Sequence, residues 1–499
     1  MAPRRLGLAG AGAALVLLVV YLATMAPSLS WAHDGADGGD LATAVASGGI
    51  PHPPGFPAYL LLGSLFVRLP WGDVAWRLNL MSAVLAAGAA GLVAIAAGKV
   101  MASVDDSLPP GGRSPALRNS ISAFCTGLCL GLAPLVWSQA LIAEVYSAAA
   151  FFAALVVLLA LLRGPAWALG LALGLGAGAH PTLVFLAPVV VWAVWVGTGR
   201  ERATRLVGAL TMACLGWLVT YGLVLLARAA VPSPWGDVSK LQGWWEMVSG
   251  RMYHGNVFGL PLAASPARLL AWLSLLARQF TPLGALLAAL GLAQLWRERR
   301  SLAVALAVSF ACFSLYAIGY DTADSFVYLV PALPLAALWL AVGAARAGKW
   351  LSERVRWGDW ALAALPLLLV LAFWPQMDLS DDCAAPEWAE RVLGAAPRDA
   401  VLLTVSDAHT FALWYAHDVL GQRPDVVVVD ADLWGQESYR RIVARALGLD
   451  SLDYSLSPEL AAQLAGRPLV PIAPPESACD QASLSAMKMP AEGAEQCAR

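Results

Sequence analysis

The sequence predicts an α-helical polytopic membrane protein with about eleven transmembrane helices, a large first loop on the outer face and a small C-terminal α/β domain on that face. Three observations predict it. Of 499 residues, 59% are hydrophobic and 13% charged, and mean hydropathy is +0.65, more apolar than a soluble chain of this length. Apolar runs of spanning length recur along the first three quarters, each bounded by charge or Pro/Gly. After Gln376 the charge density becomes ordinary and strand-like runs appear.

The first run, LGLAGAGAALVLLVVYLATMA, follows MAPRR. It is about 20 residues, longer than the roughly 7 to 15 of a signal-peptide core, so a retained span is expected. Further spans are expected near residues 74–97, 119–138, 142–162, 166–179, 181–197, 206–229, 281–296, 301–319, 326–345 and 359–377. With a cytoplasmic N-terminus, the loops on that side collect Arg4, Arg5, Lys99, Arg113, Arg118, Arg163, Arg200, Arg202, Arg205 and the clusters around Arg299 and Arg354. The alternate loops hold only Arg68, Lys240, Arg251, Arg268 and Arg278. The positive-inside rule therefore places residues 27–73, 230–280, 320–325 and 378–499 outside. The expected division is a transmembrane domain over 1–377, an extracytoplasmic α/β domain over 378–467 and a poorly ordered Pro/Ala/Ser/Glu-rich tail over 468–499.

A net charge of −2 gives no basis for nucleic-acid binding. The seven cysteines show no CxxC or Cys/His metal spacing. Cys383, Cys479 and Cys497 suffice for one disulfide in an oxidising compartment.

The chemistry-bearing residues cluster after the first span, in WAHDGADGGDLATAVASGGIPHPPGFP. Asp34, Asp37 and Asp40 are three apart, and DLATAVAS has helix-forming composition, so the acids sit near a helix N-terminus. Capping explains them; so does a general base partly desolvated at the membrane surface. Four prolines around His52 forbid helix and present the imidazole on a stiff segment. Phe56 to Leu69 reads as an interfacial amphipathic helix facing membrane lipids. Glu144, Tyr146 and His180 lie at the outer ends of spans, and Asp321 and Asp324 face outward beside Tyr328. Ionisable groups at such depth are functional candidates. On the otherwise base-poor outer face Arg251, Arg268 and Arg278 are the principal cations, and a guanidinium suits a phosphate.

The acid cluster, the HPPG turn, the interfacial helix and a span opening with Trp76-Arg77-Leu78-Asn79 resemble the multispanning glycosyltransferases of the C superfamily (GT-C). These take sugars from polyprenyl-phosphate carriers. More closely, ADGGDLATAVASGGIPHPPGFPAYLLLG, AEVYSAA, GAHPTLVFLAP, YDTADSFVYLVPA and LLTVSDAHTFALWYAHDVLGQRPDVVVVD resemble a family first known as a domain of unknown function. Its eukaryotic members are protein O-mannosyltransferases acting on plexin-type receptor domains. The resemblance runs from Tyr21 to about Tyr439. It implies inverting transfer, with an acid of the first outer loop as base. Asp37-Gly38-Gly39-Asp40 matches a DSGE-like or DCGE-like tetrapeptide, which implies Asp37 as base and Asp40 as its neighbour, though Asp stands here where relatives have Glu.

The implied substrates are a polyprenyl-phosphate-linked sugar, with mannose the first candidate, and a hydroxyl on protein, lipid or glycan. Displacing phosphate from an anomeric carbon needs a cation or dipole at the leaving group and a base for the acceptor hydroxyl. Arg251 or Arg278 answers the first need and Asp37 the second. His52, Glu144, Tyr146, His180, Asp321, Asp324 and Tyr328 are the expected substrate-binding residues. No cofactor is required; the acids could hold a divalent cation, but the chemistry demands none. Asp407, Tyr415, Arg423, Pro424 and Asp425 of the α/β domain are expected to fold it or dock the acceptor. The competing class is a transporter or flippase with Glu144, His180 and Asp321 along its path. It would show broken helices in symmetric halves and midplane polar groups, whereas these acids gather at one face. The Ala/Arg/Gly-rich composition and short loops point to a bacterial inner (plasma) membrane.

Overall fold

A computed structural model describes residues 2–104, 115–195, 198–352, 354–355, 363–453 and 455–473. Each of the eleven expected apolar segments is helical where described. By length and hydropathy five helices can cross a membrane unaided, and seven if each of two bent pairs makes one span. Shorter apolar helices, among them Tyr146–Leu161, Ala166–Ala177 and Pro181–Val194, complete the bundle. The chain is an integral membrane protein.

The Val74–Val104 helix is the axis. It packs against Ala2–Thr24, Pro115–Gly131, Tyr146–Leu161 and Leu333–Ser352. At 31 residues it is about 46 Å long, more than the roughly 30 Å of hydrocarbon, so it can cross a bilayer with turns to spare. Elsewhere small residues let helices touch: a Cβ on Gly343 would run into the Leu287 carbonyl, and one on Gly291 into the Trp339 carbonyl. Such close crossings suit packing in lipid, where dispersion replaces the hydrophobic drive.

The Trp76-Arg77-Leu78-Asn79 motif fastens both ends of the first loop. Asn79 Nδ2 donates to the carbonyls of Ala26 and Ser28, each at 2.9 Å. Arg77 donates to the carbonyls of Val67, Trp71 and Gly72. Between these clamps run the Gly38–Ser47 helix, the proline turn and the Pro57–Phe66 helix. The last is shorter than expected and apolar on both sides: Tyr59 and Leu60 are buried while Leu61 and Leu65 are exposed.

The C-terminal domain is a three-stranded parallel sheet, β1 (Val401–Thr404), β2 (Val427–Asp430) and β3 (Leu469–Pro471), in the order β2-β1-β3. Parallel pairing needs crossovers, supplied by the Asp407–Trp414 helix between the first two strands and by Glu437–Leu447 and Pro458–Leu464 before the third. The domain runs past the expected limit of 467, because Leu469 pairs with Val401 and Pro471 with Leu403. The tail beyond Ala473, with Cys479 and Cys497, lies outside the described residues; among the described residues Cys383 forms no disulfide.

Candidate active site

The domain sits on the first loop at close range. A Cβ on Gly39 would run into the Phe411 carbonyl, so glycine lets the Gly38–Ser47 helix lie against the Asp407–Trp414 helix. Trp31 Nε1 donates to the Ala408 carbonyl at 3.0 Å, and the Ala75 amide donates to Tyr415 Oη at 3.0 Å. Tyr415 is thus a structural tie. Arg423 and Asp425 form an ion pair at 2.9 Å within the domain, and this holds the Asp425 carboxyl well below its usual range.

At the foot of this contact three side chains form a chain of charge. Asp40, 4% exposed, accepts from the His52 backbone amide at 2.7 Å, from His52 Nδ1 at 2.8 Å and from Trp235 Nε1 at 3.3 Å. His52 Nε2 points to Asp37 Oδ2 at 3.5 Å. The two carboxylates push the buried imidazole up to about 9, overcoming its desolvation, so His52 is an imidazolium at neutral pH. The Asp37 carboxyl is raised above the ordinary value: surrounding protein and nearby acids outweigh the attraction of His52. Its side chain is 38% exposed, against 5% for Asp40. Asp40 has its donors; Asp37 keeps a free edge.

That edge lines a cavity of about 350 Å³, within the usual range for small-molecule sites. Glu144, Tyr146, His180, Asp324 and Tyr328 line it with Asp37 and His52. The rings of Tyr146 and Tyr328 each lie 5.5 Å from that of His180, and Phe56 stacks on it at 6.0 Å. The Thr182 amide donates to His180 Nδ1 at 3.3 Å, which leaves the neutral ring's Nε2–H as a donor. Asp40 does not line the cavity; it holds His52 from behind.

The three remaining sequence candidates lie elsewhere. Arg251 is paired to Glu246 at 2.8 Å on an exposed surface. Arg278 lies over the Phe373 ring, 6.0 Å from its centroid. Neither is among the lining residues, nor is Asp321, whose amide donates to the Asn256 carbonyl. The guanidinium that touches the cavity wall is Arg268, fully buried, donating to Ser325 Oγ at 2.9 Å and the Thr322 carbonyl at 3.0 Å.

The sequence reading missed Trp235, which lies 195 residues from Asp40; its only signal is an aromatic between Pro234 and Gly236. It also missed Tyr316 and Tyr320, whose four-residue spacing puts them on one helical face leading to Tyr328. Asp407 brings a fourth kind of wall. It reaches the cavity from the α/β domain, its carboxyl pushed up to about 6 by burial and then by Asp37. Among the described residues no group of three or more His, Cys, Asp or Glu is placed to hold a metal ion.

Comparison with known proteins fits this geometry. Residues 37–204 match the Protein O-mannosyl-transferase TMEM260 N-terminal domain, and residues 385–456 match TMEM260-associated domain 2. The chain is 27% identical over 458 residues to the mouse protein O-mannosyl-transferase TMEM260, covering 83% of this chain but only 62% of that protein's length. The fold is similar to ArnT from Cupriavidus metallidurans, solved bound to undecaprenyl phosphate, with a TM-score of 0.52 at 13% identity over 90% of this chain and 96% of that one. The Archaeoglobus fulgidus oligosaccharyltransferase aligns more loosely, at a TM-score of 0.43 and 13% identity over 88% of this chain and 68% of that one. The two TMEM260-type domains are thus matched in order along a membrane chain whose fold is similar to that of ArnT.

Proposed function

We propose that this protein transfers a hexose, with mannose the first candidate, from a polyprenyl-phosphate carrier to a hydroxyl acceptor, with inversion and with Asp37 as general base. The reaction takes place on the extracytoplasmic face, the N-terminus being cytoplasmic and the membrane a bacterial inner membrane. The observation that carries the reading is the Asp40–His52–Asp37 chain at the cavity edge. Asp40 accepts from three donors and so orients His52. Asp37, raised in basicity by its surroundings and facing the His52 imidazolium, keeps a free edge for a proton.

The acceptor oxygen bonds to the anomeric carbon as its proton passes to Asp37. The bond from that carbon to the phosphate oxygen breaks, and the polyprenyl phosphate leaves with the electron pair. His52 holds the new carboxylic acid in place and fixes the approach. The acceptor class is supported by the TMEM260 likeness, which favours a protein hydroxyl; the donor class by the fold shared with ArnT.

The test is Asp37→Asn in the full chain, reconstituted in nanodiscs with labelled polyprenyl-phosphate mannose. A positioned base contributes on the order of 10²–10⁴-fold, so transfer should fall by about that factor while carrier binding persists. Undiminished turnover removes Asp37 as base. Cysteine labelling of residues 31–57 from the cytosolic side alone would reverse the proposed sidedness.

A further inference from the structure

Glu144 is a carboxylate of the cavity wall that the reaction above leaves without a task. It sits in the turn between the Pro134–Ala140 and Tyr146–Leu161 helices and is 3% exposed. Oε2 accepts only from the amide of the next residue, Val145, at 3.3 Å, and Oε1 is buried with no hydrogen-bond partner. An unsatisfied buried polar group is costly in native structures, and such groups are few. Among the described residues no hydrogen bond answers Oε1: the Ser82 hydroxyl donates to the Glu144 backbone carbonyl and leaves the carboxyl alone.

Beside it stands a cage of rings. Tyr146 and Tyr328 are 6.1 Å apart, each 5.5 Å from His180, and all three line the cavity with Glu144. A hexose has one chemistry that matches both halves of this wall. Its axial C–H groups form an apolar face that lies against aromatic rings, and its hydroxyls form a polar edge that donates to a carboxylate and accepts from an N–H. The free His180 Nε2–H supplies that donor.

We propose that Glu144, with His180 and the rings of Tyr146 and Tyr328, is the subsite for the transferred hexose, and that Glu144 reads one of its hydroxyls and so selects the sugar. The inference rests on the transfer reading above and deepens it. A site built to hydrogen-bond a hydroxyl rejects the analogue lacking it strongly, because its own polar group is then left unpaired.

The test compares wild-type and Glu144→Gln full-length protein in nanodiscs, using polyprenyl-phosphate mannose and its monodeoxy analogues as donors. The wild type should discriminate against one deoxy donor by at least about 100-fold. Glu144→Gln should slow transfer of the parent sugar and erase that particular penalty, while binding bare polyprenyl phosphate as the wild type does. Glu144→Asp, which keeps the charge and withdraws it by one methylene, is the second arm: the same penalty should shrink without vanishing. Equal deoxy penalties in all three proteins would overturn the subsite with the transfer reading intact, as would an equal loss of bare-carrier binding and transfer. A wild type that transfers no hexose from any polyprenyl phosphate would instead sink the transfer reading, and the subsite with it.

Discussion

The two walls of the cavity are built in opposite ways. One is the first loop, with Asp37 and His52. It is clamped by Arg77 and Asn79, held by Arg228 donating to the carbonyls of Ala44 and Gly49, and covered by the α/β domain at the glycine-thin contact of Gly39 with Phe411. The other is the segment 241–262, which lines the cavity with Val248, Tyr253 and Asn256. Its outer side is apolar and uncovered: Leu241 is 81% exposed, Phe258 67% and Leu262 90%. The contrast teaches a division of labour. Acid–base geometry tolerates little error and is over-determined by packing. For the proposed donor, a wall that meets a long-chain lipid needs an apolar surface open to the membrane.

Breaking the rigid wall from within should have the largest effect. Asp40→Asn keeps one acceptor oxygen, puts an NH2 donor where the other oxygen stood, and removes the charge that holds the imidazolium. Partners that fix a histidine's orientation are worth about 10–100-fold by comparison with such residues elsewhere, so transfer should fall by about that factor. The pH profile carries the signature. In the wild type, the basic form of Asp37 is lost as pH falls, sooner than for an ordinary carboxylate, and the His52 charge is lost as pH rises through about 9. Because the folded value for His52 lies above the free value of 6.5, its stabilising contribution is full below 6.5 and disappears as pH rises through about 9. In Asp40→Asn the alkaline limb should move to lower pH; an unmoved limb would separate Asp40 from His52.

A smaller effect should follow from prying the domain off the loop. Gly39→Ala puts a methyl against a backbone carbonyl that cannot swing away. Overpacking of this kind costs about 1–3 kcal/mol. Thermal unfolding should come earlier and transfer should fall severalfold, with the pH profile unmoved. Unchanged melting would mean that the two elements separate without cost.

How far the sequence alone reached follows the same contrast. Polar residues in apolar surroundings stand out, so Asp37, His52, Glu144, Tyr146, His180, Asp324 and Tyr328 were legible, and they surround one cavity. So were the first two strands and the Glu437–Leu447 helix, which carry strong local periodicity. The cations were not. Counting arginines on a face tells which charges are scarce but not where they point, and Arg251 and Arg278 turn to Glu246 and Phe373 instead. The third strand was hidden because Leu469–Pro471 is three residues long and carries a proline, so only its partner β1 defines it. The different surroundings of Asp37 and Asp40 depend on Trp235 and the Gly39 contact, long-range features that no local pattern encodes.

The open wall offers the gentlest test. The Leu241–Ser249 helix buries Met247 and ties Trp244 Nε1 to the Tyr221 carbonyl at 2.8 Å, while Leu241 and Trp245 face outward. Replacing both outward residues by serine leaves that hydrogen bond in place and removes one ring contact, Trp245 with Trp244 at 6.5 Å, and exposed substitutions usually shift stability by about 0.5 kcal/mol or less. Melting should therefore hold. If the exposed face rests in the bilayer interface, the double variant should raise the KM for the lipid donor in nanodiscs by about threefold, as expected for losing part of an interfacial apolar face. Its kcat should stay unchanged, and the difference should disappear for a short-chain donor in detergent. A fall in kcat with an unchanged KM would place this segment among the groups that position the reaction rather than those that receive the lipid.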